Sequence, residues 1–152
     1  MPRPEATPDE TRRHWMSVLA RADAQELKAR IAAAGGLPPH GRLRGPETGL
    51  VMVRGRTGGQ GAPFNLGEMT VTRCTVRDTA GRVGHAYIAG RDAARAELAA
   101  ALDAALQDPA RRDALLETVI APLAQAQADA RMAVARKAAA TRVDFFSMQT
   151  TR

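Results

Sequence analysis

A chain of 152 residues with 45% hydrophobic content can bury one ordinary core, which argues for a single domain. No apolar run reaches the roughly 18 residues that span a bilayer, and Met1-Pro2-Arg3-Pro4-Glu5 lacks the apolar stretch of a secretory signal, so a cytoplasmic protein with no membrane partner is expected. The net charge of +6, from 22 basic and 16 acidic residues, is carried almost wholly by arginine, whose planar fork suits carboxylates and phosphates.

Residues 1–8 contain three prolines and are expected to be loose, with one domain over 9–148 and a loose tail at 149–152. From Asp9 to about Arg21, Trp15, Val18 and Leu19 stand at helical spacing. Asp23 and Glu26 predict a capping box for a second helix bearing Leu27 and Ile31, ended by Gly35-Gly36 and Pro38-Pro39. Helices this short are marginal alone, so their apolar faces must dock on something.

Three strands are predicted in the middle, over about 49–55, 68–77 and 83–89. The last two should form a hairpin across Thr79-Ala80-Gly81-Arg82. Within the second strand the apolar positions change parity between Val71 and Cys74, which implies either a bulge or a sheet covered on both faces.

After Gly90-Arg91-Asp92 a helix is predicted with Leu98, Leu102, Ala105 and Leu106 on one stripe. Asp108-Pro109 starts another, with Leu115, Leu116, Val119 and Ile120 as its face until Pro122 interrupts. An alanine-rich helix from Leu123 to about Arg142 shows a slim stripe of Ala128, Met132, Ala135 and Ala139, suited to close packing against a neighbour or a partner subunit. Val143, Phe145, Phe146 and Met148 then form an apolar tail, an association site if exposed and an anchor if buried. The fold class is therefore α+β, a small antiparallel sheet in the middle of the chain with helices before and after it.

The glycine-rich loop from Gly55 to Gly61 fits neither nucleotide fingerprint. A phosphate loop needs lysine and then serine or threonine after its last glycine, where Ala62-Pro63 follow, and no helix follows to make a dinucleotide-binding turn. Two readings stay open: a plain hairpin connection, or an anion nest in which the amides of Gly58, Gly59 and Gly61 join Arg54 and Arg56; Arg73 is a further candidate for anion or partner contact. The five aromatics do not alternate with basic residues as a base-stacking platform requires, which speaks against nucleic acid.

His14, His40 and His85 show no metal-ligand spacing, so no metal site is expected. His85, on the same strand face as Tyr87, is the best candidate for moving a proton, and Glu47 with Glu68 is a possible carboxylate pair. Cys74 reads as a small buried residue in a strand. No serine or cysteine sits in a nucleophile elbow, so the catalytic residues are unknown and two other classes stay open: a stand-alone phosphate-ligand enzyme and a basic nucleic-acid module.

Five segments in one order carry a resemblance: Arg13-His14-Trp15-Met16-Ser17-Val18-Leu19-Ala20, Glu47-Thr48-Gly49-Leu50-Val51, Thr70-Val71-Thr72-Arg73, Gly90-Arg91-Asp92 and Arg142-Val143-Asp144-Phe145-Phe146. From about Arg12 to Met148 the chain resembles the PhnG family, small subunits of the bacterial carbon–phosphorus lyase system. The resemblance implies an accessory role beside PhnH, PhnI and PhnJ, with PhnL as a further component. It also implies that the complex moves the ribose triphosphate part of ATP onto a phosphonate and releases adenine. ATP and phosphonate would be substrates of the complex, no cofactor would be bound by this chain alone, and no family catalytic residue carries over to a position here.

Overall fold

The structure, a computed structural model, describes residues 7–143. The chain enters its first helix, α1 (Pro8–Arg21), through a complete capping box. The Thr7 hydroxyl accepts from the Glu10 amide, and the Glu10 carboxylate accepts from the Thr7 amide at 2.9 Å. Thr7 and Pro8, expected to be loose, are thus the cap and first residue of a helix. α2 (Ala24–Ala33) is capped by Asp23, which accepts from the Gln25 and Glu26 amides. Glu26 does not complete the predicted box; its carboxylate takes Arg30 at 2.8 Å, one turn on.

The sheet is an antiparallel meander in the order β1 (His40–Arg56), β2 (Pro63–Asp78), β3 (Val83–Ala89). β3 and its tight turn match the predicted hairpin, with the Asp78 carboxylate accepting from the Ala80 and Arg82 amides. β1 and β2 are longer than predicted, starting at His40 and Pro63 instead of residues 49 and 68. The added residues of β1 pair with the predicted part of β2, from His40 opposite Asp78 to Thr48 opposite Thr72, and those of β2 pair with the distal end of β1. Gly41 is a poor strand former whose preference this pairing overrides, while Gly45 and Pro46 fall within a register shift.

β2 pairs with β3 without a break, so its side chains alternate strictly and the change of parity reflects buried residues on both faces. The bulge lies in β1, which slips register between Arg44 and Glu47, opposite Cys74. Thr72, Cys74, Val76 and Asp78 face the helices. Val71 points the other way and is buried as well.

α3 (Ala93–Leu106) lies across β3 and the adjoining half of β2. Asp92 caps it through the Arg95 amide at 2.9 Å. Leu98 is only half-buried, whereas every residue from Ala99 to Leu106 is buried, because α3 is wedged between the sheet and the other helices. Its contact with the sheet is close at Gly84, where a Cβ would overlap the Ala100 carbonyl and stand 2.6 Å from the Ala104 nitrogen.

α4 (Pro109–Leu115) passes through a π-helical turn (Leu116–Ile120) into α5 (Ala121–Ala140). Pro122 therefore does not end the helix as predicted. The backbone stays helical through Ile120 and Ala121, and the π turn just before Pro122 accommodates the residue that lacks an amide proton. Of α5 only Leu123 is buried, and the stripe at Met132, Ala135 and Ala139 is exposed.

Candidate functional site

Two surfaces carry the residues singled out by the sequence. The first is the tip of the β1–β2 hairpin. Thr57–Gly59 forms a single 3-10 turn, with Gly58 at φ 62°. The Gly61 amide donates to the Thr57 carbonyl at 3.1 Å, so one of the nest amides is already used within the turn. Arg56 donates to the Gly61 carbonyl at 3.0 Å and closes the loop from outside. Arg54 has no hydrogen-bond or ion-pair partner among the described residues. Arg54, Gly55, Arg56 and Pro63 line an open depression at this tip.

The second surface is the sheet face turned away from the helices. Arg73 lies there, paired with Glu47 at 3.0 Å, and Glu47 also meets Arg44 at 3.5 Å. Glu47 and Arg73, with Tyr87 and Val71, line a cleft of about 150 Å³. Arg73 is not near the tip arginines: Arg54 pairs with Asn65, eight positions before Arg73 on β2, or about 26 Å along the strand. The three arginines do not share one binding site in this chain.

The proposed carboxylate pair is also undone. Glu47 stands opposite Arg73 and Glu68 opposite Met52. Five positions apart along a strand, Arg73 and Glu68 fall on opposite faces of the sheet, and Glu47 goes with Arg73. His85 and Tyr87 do share the outer face, as expected, and His85 Nδ1 is 3.2 Å from the Thr75 hydroxyl. His14 is exposed, and His40 is 3.7 Å from Glu97, which also holds Arg42 at 2.6 Å. The described residues contain no cluster of histidine, cysteine and carboxylates able to hold a metal ion. Cys74 is buried, its thiol donating to the Arg44 carbonyl at 3.5 Å, and burial raises its pKa away from the reactive thiolate form. Phe145, Phe146 and Met148 lie outside the described residues, while Val143 is exposed.

One polar cluster escaped the sequence reading. Asp103 is fully buried and accepts from Trp15 Nε1 at 2.8 Å, from Arg12 at 2.8 and 3.2 Å and from the His85 amide at 2.9 Å. It ties α1, α3 and β3 together, with each carboxylate oxygen satisfied. Its only signal in the sequence is a single charge inside the apolar run Leu98 to Leu106.

The family model described as phosphonate metabolism protein PhnG matches residues 10–150. The chain is 52% identical over 140 residues to a protein of Rhizobium meliloti (strain 1021) named alpha-D-ribose 1-methylphosphonate 5-triphosphate synthase subunit PhnG. The aligned region covers 90% of this chain and 87% of that relative.

Proposed function

The chain belongs to the PhnG family of phosphonate metabolism proteins, and from that membership we propose that it works as an accessory subunit of a ribose 1-methylphosphonate 5-triphosphate synthase. The observation that carries this reading is the match along almost the whole chain to a protein named as a subunit of that synthase. In this role it supports transfer of the ribose triphosphate part of ATP to a phosphonate, with release of adenine. Its partners are PhnH, PhnI and PhnJ, with PhnL as a further component, and it works in the cytoplasm, binding no cofactor by itself. No helix among the described residues is long and apolar enough to cross a membrane, which is compatible with that location.

The separation of its basic groups supports a shared site over one enclosed by this chain. Arg54 and Arg56 project from the hairpin tip, where they can meet partner carboxylates or the triphosphate, whereas Arg73 is engaged by Glu47. Val143, followed by Phe145, Phe146 and Met148, supplies an apolar contact to a partner. The test is adenine release from ATP and a phosphonate by the purified companion subunits with and without this chain. Dependence on the chain, with no release by the chain alone, is expected. Full activity without it would overturn the proposal.

A further inference from the structure

β1 and β2 run on past the point where the sheet has any cover. Val71 is the first residue of β2 that pairs with β3, and it stands opposite Gly49, so from there to Arg56 the hairpin is a bare two-stranded ribbon. At about 3.3 Å per residue it projects about 23 Å. A polar surface is expected on such an arm, yet Leu50 is 62% exposed, Met52 54%, Leu66 65%, Phe64 44% and Met69 42%.

Alternation puts Leu50 and Met52 on one face and Met69, opposite Val51, on the other. Along the outer side of β1, no strand of the sheet covers the backbone groups. Two-stranded ribbons are marginal in water, and this one carries its apolar side chains where they gain nothing from the chain's own core. At roughly 200 Å² for each large side chain, the five expose on the order of 500 Å² of mainly apolar surface, divided between the two faces of the ribbon.

Charge selects the occupant. The distal ribbon carries Arg54 and Arg56 against a single carboxylate, Glu68, on a chain of net charge +6, and Arg54 has no partner among the described residues. A second copy would bring the same arginines together, whereas a surface with carboxylates at its rim would pair with them. We propose that the β1–β2 ribbon is an insertion arm, buried on both faces in an apolar cleft of a companion synthase subunit whose acidic rim receives Arg54 and Arg56. The inference rests on the subunit reading and deepens it by assigning the contact to this ribbon.

The test uses the full chain co-expressed with its companion subunits. The double substitution Leu50→Asp with Leu66→Asp should lower recovery of the complex at least tenfold, while the isolated variant keeps the unfolding midpoint of the wild type. Arg54→Glu with Arg56→Glu should weaken assembly about tenfold and reverse its response to salt. Amide hydrogen exchange of the unsubstituted chain reads the same contact without any variant: the ribbon amides should exchange at least tenfold more slowly in the complex than alone. Unchanged ribbon exchange on assembly would overturn the arm while leaving the subunit reading intact, and absence of any complex with the wild type would overturn both. A ribbon-dependent homodimer of the isolated chain, or ribbon-dependent binding to single-stranded RNA in place of a subunit, would overturn the stated occupant.

Discussion

The two halves of the same hairpin obey opposite rules. In the half under α3, buried residues of β2 from Thr72 to Asp78 alternate with the exposed Arg73 and Arg77 and the half-buried Thr75, and the buried set includes Cys74 and Val76. In the other half, residues 63–69 are exposed throughout, although they include Phe64, Leu66 and Met69. Pattern alone does not separate the two; what separates them is that one half has a helix pressed on it. Burial in the first half stabilises the monomer, while the apolar residues of the second contribute only when something else covers them.

That contrast is sharpest where the covered half is disturbed. Asp103→Ala leaves the Trp15 indole and the His85 amide without their acceptor and Arg12 without its ion partner. A loss of about 3 kcal/mol in unfolding free energy is expected, at the low end for a broken buried pair because Arg12 reaches water, measured by denaturant titration. Gly84→Ala follows at about 2–3 kcal/mol, since the new methyl must push the α3 backbone off the sheet. A chain that tolerates Gly84→Ala without loss would show that α3 and β3 are not in the close contact described.

At the other end of the scale, Thr7→Ala should cost about 1 kcal/mol through the lost cap of α1. Met52→Thr on the ribbon, opposite Glu68, should change the stability of the isolated chain by less than about 0.5 kcal/mol. Equal losses for Met52→Thr and Gly84→Ala would erase the distinction between the two halves.

Acid probes the covered half in a second way. Burial would raise the pKa of Asp78, but Arg82 and the Arg82 and Ala80 amides hold it below its ordinary value. Arg42 does the same for Glu97 against the opposing effect of burial. Both groups bind protons more weakly in the folded chain than in the unfolded one, so their contribution is complete above about pH 5 and fades as pH falls through and below 4. Thermal melts from pH 7 to pH 3 should show a falling midpoint. A midpoint that rises on acidification would contradict these pairings.

Much of this architecture is legible in the residues, and what is not has physical causes. β3 is legible because its alternation is bounded by Gly81-Arg82 and Gly90. The early part of β1 is not: Gly41, Gly45 and Pro46 argue against a strand, and its stability comes from pairing with β2 across two register shifts. Pro122 reads as a stop because a π turn leaves no local trace in the sequence. Of the candidate site, the Gly55–Gly61 segment is legible as a loop, and the grouping of Arg54 with Arg56 follows from their spacing. That Arg73 lies far along the strand, and that Glu47 and Glu68 face opposite ways, depends on register, which local pattern does not specify. The exposure of Leu50 and Leu66 is invisible as well, because an apolar residue on a strand reads as core until the covering helix is placed.

The central claim is that this chain is a subunit whose exposed half is completed by other proteins. Co-expression with the companion synthase subunits, followed by mass measurement through light scattering on a sizing column, tests it most directly. A stoichiometric hetero-oligomer containing this chain is predicted. A chain that elutes alone at its monomer mass beside an intact, active assembly of the others would contradict it.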